Sequence, residues 1–558
     1  MSERVRVALL LALVLLVYAN TLRNDFTMDD DLYILRNAQV KSPSVTGLFK
    51  PTSYNNVFRP VAFGSYALNW ALGGANPFGY HFLDLLLHAA VTLLLYLLLR
   101  QLLEDLQQGT TIAWVAALIF AVHPIHTEAV ASIAGRSELL AAGFLLGAWL
   151  LHLFDRPVLA VFCFLLALLS KESAVAFVPL VLAGDYARGK FKPLYRYGVI
   201  AGASAAYLGL LWKVQGGRFG EKAINFLDNP LAHLPASLRI LNAIRTAWKY
   251  VGLHVFPATL SCDYSYNSIL LYANRWHTAP AAMAALLVVA IWIWTFRTQR
   301  REWFLAGGIY LLTFAVTANI LVPTGTIMGE RLAYLPSAGF CLLVALIWVR
   351  FANRTKRLAV AVLVLILTAL GTRTVARNLD WHDNFTLFSA GVKAVPGSAK
   401  MHCNLAIQYY FRHQLDDAGR EAQIALRIYP DLPDALGYSA LFEASQGHDR
   451  EARRLLEKGL KLTALDDPSY DFMAVNLAAA LMKLGENEDA LKLLNEEIIR
   501  SPGASRAWSN RAVIRLQRGD VAAARSDAEA ALRFDPSNEQ AQNLLRILPE
   551  PAPLASRP

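Results

Sequence analysis

The chain has 558 residues, of which 55% are hydrophobic and only 17% are charged. A mean hydropathy of +0.35 at this length excludes an ordinary soluble protein and indicates a membrane protein with more than one domain. The net charge of +10 does not indicate nucleic-acid binding, because residues from Gly391 onward hold 21 basic and 23 acidic side chains, whereas the preceding residues hold 32 and 20. The positive charge therefore belongs to the apolar part.

The four cysteines show neither a CxxC pattern nor a Cys/His spacing, so the sequence indicates no disulfide framework and no zinc site. They are Cys163, Cys262, Cys341 and Cys403.

The sequence contains eleven apolar stretches, most of which approach the ~20 residues that cross a hydrocarbon core and several of which are shorter. They are, in chain order, Val5–Leu22, Tyr80–Leu102, Ile112–Ile133, Leu139–Phe154, Val158–Ser170, Ser173–Gly184, Gly198–Trp212, Ala279–Phe296, Trp303–Leu321, Leu332–Val349 and Leu358–Thr374. The first follows Arg4 and Arg6, and no convincing small-residue cleavage site comes after it. We interpret it as a retained anchor and not as a signal peptide.

The segment Leu238–Pro257 is long enough to span, but it carries Arg239, Arg245 and Lys249, and each cation costs about 2.5 to 3.5 kcal/mol near a helix centre. We predict a surface or re-entrant helix here, within a large outer loop. Clusters of Lys and Arg near residues 188–196, 297–301 and 350–357 then fall on the same side as the N-terminus, which is the positive-inside pattern.

This topology places one set of polar loops on the non-cytosolic side. The set comprises the stretch after the first span, the turns at Gly135-Arg136 and Lys171-Glu172, the loop at 323–331 and everything after Arg373.

The part after Gly391 repeats itself. Alanines recur at spacings of 34, 38 and 34 residues, at Ala418, Ala452, Ala490 and Ala524. A 34-residue period of paired helices, with small residues where the helices cross, is typical of tetratricopeptide repeats. The longer spacing indicates four extra residues near Leu465–Pro468, and His413 stands where later units have Gly447, Gly485 and Gly519. We predict about four repeats, a capping helix to Leu548, and a disordered tail.

Three adjacent carboxylates, Asp29, Asp30 and Asp31, follow the first apolar stretch. They could form a solvated loop without further function. Alternatively, one of them acts as a general base toward a hydroxyl at the membrane surface. Spacing alone does not choose between these interpretations.

The stretch AVHPIHTEAVASIAGRSELL places several ionisable side chains near the outer end of the third span, namely His123, His126, Glu128, Arg136 and Glu138. Ionisable groups at membrane depth are costly and indicate function. The alternative is an internally paired Glu128/Arg136 packing network. A metal site at His123, His126 and Glu128 is disfavoured, because Pro124 breaks the helical spacing that such ligands need.

Two further outer motifs place a cation beside an acid. GERLAYLPS contains Glu330 and Arg331, and LLSKES contains Lys171. Such cations could be interfacial anchors or salt-bridge partners. They could equally neutralise the phosphate of a lipid-linked donor, for which Arg offers bidentate contact.

Together these blocks resemble the transmembrane and tetratricopeptide repeat-containing (TMTC) family. The resemblance rests on MDDDLYILRN, FRPVAFGSYALN, YHFLDLLLH, HPIHTEAVASIAGRSELL, SKES, LSCDYS and GERLAYLPSAGFCLLVA in this order, followed by the repeats. It covers nearly the whole chain. It implies a membrane domain of GT-C type followed by repeats. With the eleven apolar stretches and the 34-residue period, the predicted fold is all-α, with about eleven transmembrane helices before a tetratricopeptide repeat solenoid.

The expected domains are a GT-C-like membrane domain over residues 1–376, a linker over 377–397, the repeat domain over 398–548 and a tail over 549–558.

The resemblance also implies a protein O-mannosyltransferase that takes mannose from a polyprenyl-phosphate donor and attaches it to Ser or Thr of a protein on the non-cytosolic side. Stacked helix pairs form a groove suited to extended peptides, so we expect the repeats to bind this acceptor. The family's acidic pair falls on Asp29 and Asp30 as catalytic residues. Phosphate-side candidates are Arg331, Arg136 and Lys171, and positioning candidates are His123, His126, Glu128, Glu138, Glu330 and Arg59. No cofactor is certain, and a divalent metal stays open because an acidic pair can serve as base or ligand.

Two other classes of function remain open. One is a membrane-anchored repeat scaffold without catalysis, and the other is a GT-C enzyme that modifies lipid or polysaccharide. No nucleic acid is expected as a partner. The short repeat array and the absence of a KDEL-type signal favour a bacterial plasma membrane over that of the endoplasmic reticulum.

Overall fold

A computed structural model describes residues 2–52, 56–216, 224–465, 467 and 469–549. The chain forms two compact units, Met1–Pro396 and Gly397–Pro558. All regular secondary structure within these described ranges is helical, which confirms the all-α prediction.

The first unit contains the apolar helices and their polar connections. Its α-helices are Glu3–Tyr18, Ala38–Lys41, Val45–Leu48, Pro60–Gly73, Pro77–Leu102, Gly109–Val122, Thr127–Ala131, Arg136–Leu153, Pro157–Ser170, Phe177–Arg188, Leu194–Val214, Ala236–Val255, Ala279–Arg297, Arg301–Ala315, Pro336–Ala352, Lys356–Asp380 and Asn384–Ala394. Shorter 3-10 turns are Ala19–Arg23, Pro124–His126, Ile133–Gly135, Glu172–Ala176, Pro230–His233, Arg275–His277 and Glu330–Ala333, and Asp31–Leu35 is a π turn.

Each of the eleven predicted apolar stretches contains a helix. Within the described residues, six helices are long and apolar enough to cross a membrane, and a seventh span results if Gly109–Val122 and Pro124–Ala131, bent by 56°, are counted as one. The helices Pro157–Ser170 and Pro336–Ala352 are apolar but shorter. Eleven spans therefore stays a prediction.

The core of the first unit lies around the helices Pro77–Leu102, Gly109–Val122 and Arg136–Leu153, whose side chains are largely buried. By contrast, only 6% of the apolar window of Ala279–Arg297 is buried. Its exposed Leu, Val and Trp side chains would face the lipid tails of a membrane.

The segment Leu238–Pro257 forms the helix Ala236–Val255, which is not among the candidate spans. Two of its cations lie against tyrosine rings: Arg245 over Tyr272 at 4.3 Å and Lys249 over Tyr264 at 5.0 Å. The methylene groups of these long side chains can pack on apolar surface while the charged ends stay in a polar environment.

The expected linker, residues 377–397, contains the end of the helix Lys356–Asp380 and the helix Asn384–Ala394. The latter begins with a capping box, in which Asp383 Oδ1 accepts the Thr386 N–H at 2.7 Å. Both helices belong to the first compact unit.

The second unit is a row of helix pairs with a final helix, as tetratricopeptide repeats require. The pairs are Ala399–Phe411 with Leu415–Ile428, Pro433–Ser445 with Asp449–Leu462, Ser469–Lys483 with Asn487–Arg500, and Ser505–Gln517 with Val521–Phe534, followed by Glu539–Ile547. Within the predicted insertion, Asp466 and Pro468 lie outside the described residues, as do residues 550–558 of the predicted tail.

The turn inside each helix pair needs a left-handed residue. Gly447, Gly485 and Gly519 have φ between 78° and 83°, and His413 takes the same position with φ 59°. Because a side chain disfavours this conformation, the first repeat keeps the geometry with a less suitable residue. All four aligned alanines are buried, which fits helices crossing closely at those positions.

Candidate functional site

The fold gives the three adjacent carboxylates three different environments. Asp29 is partly exposed and Asp30 is fully buried. Asp31 forms an ion pair of 2.7 Å with Arg36, whose side chain is 69% exposed. The three acids are therefore not equivalent in chemistry.

Asp30 ties two loops together. Its Oδ2 accepts the Thr27 N–H at 2.9 Å, and its Oδ1 accepts the Ala134 N–H at 2.7 Å. Burial raises the pKa of Asp30 to about 7, although the two N–H groups oppose that shift. With no exposed surface, this carboxyl cannot meet a substrate hydroxyl in this conformation, so its position suits a structural role.

Asp29 stands at the start of a turn held by neighbouring loops. Met28 before it has a left-handed φ of 48°, and the Met28 N–H donates to Asn384 Oδ1 at 2.8 Å. Within the described residues, the Asp29 carboxylate has no hydrogen bond and no ion pair. It is the member of the acidic trio that could take a proton from a bound molecule.

Arg331 lies near Asp29 and is held by Glu128. The Arg331 guanidinium forms an ion pair with Glu128 Oε1, and the Arg331 N–H donates to Glu128 Oε2 at 2.8 Å. The Glu128 charge, and less strongly that of Asp29, raises the pKa of Arg331. Glu128 is buried while the Arg331 side chain is 32% exposed, so Arg331 is the member of this pair that a bound molecule can reach.

A second group of charges surrounds Lys171. Lys171 forms a buried ion pair with Glu138, and burial lowers the Lys171 pKa against the effect of Glu138. Arg59 donates to both carboxylate oxygens of Glu172, at 3.2 and 2.8 Å, and its Nη1 donates to Ser137 at 3.4 Å. The charges of these side chains also influence the pKa of Lys171 or of Arg331. The Lys171–Glu138 and Arg59–Glu172 pairs therefore lie near Arg331.

Arg136 is enclosed. It pairs with Asp84 at 2.5 Å, both side chains being fully buried. It also donates to Asn69 Oδ1 at 2.7 Å and to the Tyr80 carbonyl at 3.0 Å. The Glu128/Arg136 pairing considered from the sequence is therefore wrong. Because Arg136 is buried and already donates to protein partners, it cannot contact a donor phosphate in this conformation. Its contacts instead join neighbouring helices.

The two histidines lie in a buried aromatic cluster. His126 Nε2 is hydrogen-bonded to Ser337 Oγ at 2.7 Å, and His123 Nε2 to the His254 carbonyl at 2.9 Å. The His126 ring packs against Tyr334 at 4.8 Å. The contacts of His126 with Tyr334 and Ser337 fix the segment that follows Arg331. The histidines therefore position this segment by packing.

Glu330 points away from its neighbour Arg331. Its Oε1 accepts the Ser261 N–H at 2.6 Å and the Tyr264 hydroxyl at 2.7 Å. Burial raises the pKa of Glu330 to about 7. It thereby anchors the loop at 260–265 to the GERLAYLPS segment.

Three partners were missing from the sequence-based site: Asp84, Glu172 and Tyr264. Asp84 had a signal, because it is an acid within an apolar stretch. Glu172 stands beside Lys171, yet its ion pair with Arg59 joins residues 113 positions apart and could not be found from local spacing.

Within the described residues, no group of three or more His, Cys, Asp or Glu side chains has an arrangement that could hold a metal ion. His123, His126 and Glu128 are engaged in the separate contacts given above.

Comparisons with known proteins bear on both units. The tetratricopeptide repeat family matches residues 475–539. Protein O-mannosyl-transferase F38B6.6 of Caenorhabditis elegans is 31% identical over 415 residues, 71% of this chain and 59% of that protein. Protein O-mannosyl-transferase TMTC3 of Mus musculus is 27% identical over 599 residues, 95% of this chain and 64% of that protein. This chain is related to the TMTC family.

The family resemblance is thereby confirmed, since the alignment with TMTC3 runs across both units. Protein O-mannosyl-transferase TMTC1 of Homo sapiens is similar as well, with 28% identity over 502 residues, 77% of this chain and 56% of that protein. The chain spans about three fifths of the length of these TMTC relatives.

Proposed function

We propose that the chain is an integral membrane glycosyltransferase. It transfers a hexose, with mannose as the expected sugar, from a polyprenyl-phosphate donor to Ser or Thr of protein acceptors on the non-cytosolic face. The names of the TMTC relatives, which are protein O-mannosyl-transferases, support the reaction class. The apolar helices support a multi-pass membrane protein.

The observation that carries the proposal is the Asp29 carboxylate beside Arg331. It combines partial exposure, freedom from other described partners and a neighbouring guanidinium. A general base has to reach the substrate proton, and a departing phosphate needs a nearby cation. Asp29 and Arg331 supply these two requirements from loops that come together.

The transfer moves one bond, one electron pair and one proton. The acceptor oxygen forms a bond to the anomeric carbon while the bond from that carbon to the donor phosphate oxygen breaks and its electrons leave with the polyprenyl phosphate. The hydroxyl proton passes to Asp29. A carboxylate is a weak base toward a free alcohol, so it takes the proton as the oxygen becomes acidic in the transition state. The product has inverted anomeric configuration.

Arg331 is the proposed phosphate contact, because its partly exposed guanidinium can share its donors between Glu128 and a ligand. Lys171 lies deeper in its pair with Glu138 and adds positive potential. Arg59 orders this region through Glu172. We leave Arg136 and Asp30 out of the reacting set, because both are enclosed by protein partners.

The second unit is proposed to bind the acceptor. Stacked helix pairs form grooves that take extended peptides. Tethering such a groove to a membrane enzyme raises the local acceptor concentration, up to millimolar for short flexible connections. The sequence favours a bacterial plasma membrane, whereas the TMTC relatives compared above come from animals; the proposal requires only a membrane whose outer or luminal side carries proteins.

The test is a transfer assay with the purified full chain, labelled polyprenyl-phosphate mannose and a panel of periplasmic or luminal proteins, with and without chelator. We expect label on Ser or Thr of a protein. Asp29→Asn should lower the transfer rate by about 10²- to 10⁴-fold, because the amide cannot accept the hydroxyl proton.

Asp31→Asn is the matched control, since Asp31 is adjacent in sequence but pairs with exposed Arg36. It should keep most of the activity. Label found on lipid or polysaccharide would show that the acceptor is not a protein. No transfer from any donor, or equal activity of Asp29→Asn and the wild type, would reject catalysis at Asp29.

A further inference from the structure

A separate cavity of ≈ 480 Å³ lies at the end of the helix Lys356–Asp380. Its walls come from this helix, from the helix Asn384–Ala394 and from residues 258–260 that follow the helix Ala236–Val255. The lining residues contain three cations, Arg373, Arg377 and Lys393, and one carboxylate, Asp380. Neither Asp29 nor Arg331 lines it.

Arg377 is a buried cation with unused donors. Its side chain is 1% exposed, and Nη1 donates to Asp380 Oδ2 at 2.9 Å. Its Nε and Nη2 have no hydrogen-bond partner within the described residues. Glu330 influences Arg377 electrostatically, but no hydrogen bond or ion pair joins the two described side chains. Buried donors without an acceptor are costly, and Arg377 lines the cavity, so a side-chain movement that turns these donors toward an anion in the cavity is favourable.

Arg373 precedes Arg377 by one helical turn, which places both on one face. Its Nε and Nη2 donate to the carbonyls of Pro257 and Ala258, at 3.3 and 3.1 Å. These contacts orient the guanidinium without neutralising it, because carbonyl oxygens carry no formal charge. Lys393, in the helix Asn384–Ala394, also lines the cavity and is exposed. The cavity therefore holds more positive than negative charge.

The cavity lies where a membrane helix would leave the hydrocarbon. The helix Lys356–Asp380 has 25 residues and is about 37 Å long, compared with about 30 Å for the hydrocarbon core. Its last turns therefore reach the interface. Its exposed apolar side chains extend to Leu379, which is 58% exposed and also lines the cavity. Cationic and lipid-facing surfaces meet at this place.

We propose that this cavity binds the phosphate group of a membrane lipid. The guanidinium groups of Arg373 and Arg377 suit phosphate oxygens, and Lys393 adds a point charge. The apolar wall formed by Leu260, Leu379 and Phe385 accommodates the first part of a lipid chain. A free anion would leave this wall uncovered. This binding does not depend on sugar transfer.

The test uses the full chain in phosphatidylcholine nanodiscs with two photoactivatable lipids, a polyprenyl phosphate and a phosphatidylglycerol, each carrying the reactive group near the phosphate. Cross-linked peptides are mapped by mass spectrometry. We expect saturable cross-links to the helix Asn384–Ala394 with at least one lipid, and the lipid that reacts identifies the source of the phosphate. Only cross-links at residues 389–394 count, because Asn384 at the start of this helix accepts the N–H of Met28 beside Asp29. Asp29→Asn should leave these cross-links unchanged, which separates this result from the outcome for transfer.

The pocket variant Arg373→Gln with Lys393→Gln should reduce the cross-link at least fivefold. The control is Lys356→Gln with Arg357→Gln, which removes two exposed cations from the other end of the same helix and should have no effect. If the pocket variant is unstable, Lys393→Gln alone should still weaken labelling about threefold, because this side chain is exposed and its loss breaks no hydrogen bond or ion pair among the described residues.

Three results would overturn the proposal. The first is the absence of saturable cross-links to this helix with either lipid, and the second is equal loss in the pocket and control variants. The third is complete displacement of both lipids by an equal concentration of inorganic phosphate, which would assign the cavity to a free anion.

Discussion

Asp29 and Asp30 are neighbours in sequence, yet the fold assigns them different tasks. Asp30 accepts two backbone N–H groups inside the protein, whereas Asp29 is partly exposed and acts electrostatically on Arg331. The sequence predicted a functional acid in this stretch. It could not separate the two residues, because the difference comes from Ala134, which is 104 positions away from Asp30.

The raised pKa of Asp30 has a consequence for stability. The pKa is about 7 in the folded protein and 3.8 as the ordinary value, so between these pH values the unfolded chain loses a proton that the folded chain keeps. The free energy of unfolding should therefore fall as pH rises from about 4 to about 7. Below pH 4 this contribution is fully present.

Thermal unfolding in detergent across this pH range tests that expectation against Asp30→Asn, which does not titrate. The difference in Tm, wild type minus variant, should shrink as pH rises. A difference that grows toward pH 7 would mean that the two N–H groups keep Asp30 ionised.

The Glu128–Arg331 pair should be costly to break from one side. Arg331→Gln leaves the buried Glu128 carboxylate without its cation, and we expect a loss of about 3 kcal/mol, at the lower end for a buried pair because Arg331 is partly exposed. The double variant Glu128→Gln with Arg331→Gln should recover most of this stability.

Equilibrium unfolding in mixed micelles provides the measurement. The matched control is Arg36→Gln, whose pair with Asp31 is exposed and should contribute about 0 to 1 kcal/mol. Similar losses for Arg331→Gln and Arg36→Gln would show that burial of Glu128 does not matter.

At the scale of elements, the helices follow closely from apolar runs and small residues. Every predicted apolar stretch contains a helix, and the repeat spacing of 34, 38 and 34 residues reappears in the starts of the second helices at Leu415, Asp449, Asn487 and Val521. The sequence missed the helix Asn384–Ala394 in the expected linker, because its capping box at Asp383 lacks the usual Glu or Gln.

Gly339 permits close packing of the helices Arg301–Ala315 and Pro336–Ala352. A Cβ at this position would lie 2.5 Å from the Tyr310 nitrogen and 2.6 Å from the Ala306 oxygen. These are backbone atoms, so the helices would have to separate. Gly339→Ala should destabilise the protein by about 1 to 3 kcal/mol, measured by the same equilibrium unfolding.

Gly147→Ala is the control, because Gly147 lies in the helix Arg136–Leu153 with nothing within 4 Å of its added Cβ. It should be neutral or stabilising, by up to about 1 kcal/mol. Equal destabilisation by the two substitutions would exclude close helix approach as the reason.

For the whole molecule, the two compact units are proposed to divide the work. Removing residues 397–558 should raise the KM for protein acceptors while leaving slow donor hydrolysis, because the donor and Asp29 belong to the first unit. Donor hydrolysis by the truncated chain also reports that the first unit is folded. Unchanged protein-acceptor kinetics would remove the acceptor-binding role of the repeats.

The fold class, the repeat period and the family were predictable from the sequence, because apolar runs, a fixed repeat length and ordered motifs are local signals. The ion pairs of the site were not. Glu128–Arg331 and Arg59–Glu172 join residues 203 and 113 positions apart, so only tertiary packing selects these partners.

Transfer at Asp29 to an acceptor held by the repeats requires that the first loop and the repeats lie on one side of the membrane. Impermeant thiol labelling of intact cells tests this most directly, using a chain whose four native cysteines have been replaced and which carries Ser42→Cys, Ser537→Cys or, as the cytosolic reference, Arg354→Cys. All three positions are exposed. With the chain in a plasma membrane, we predict that Ser42→Cys and Ser537→Cys are labelled from outside and that Arg354→Cys is labelled only after permeabilisation. Labelling of Ser42→Cys in intact cells together with protection of Ser537→Cys would contradict the account.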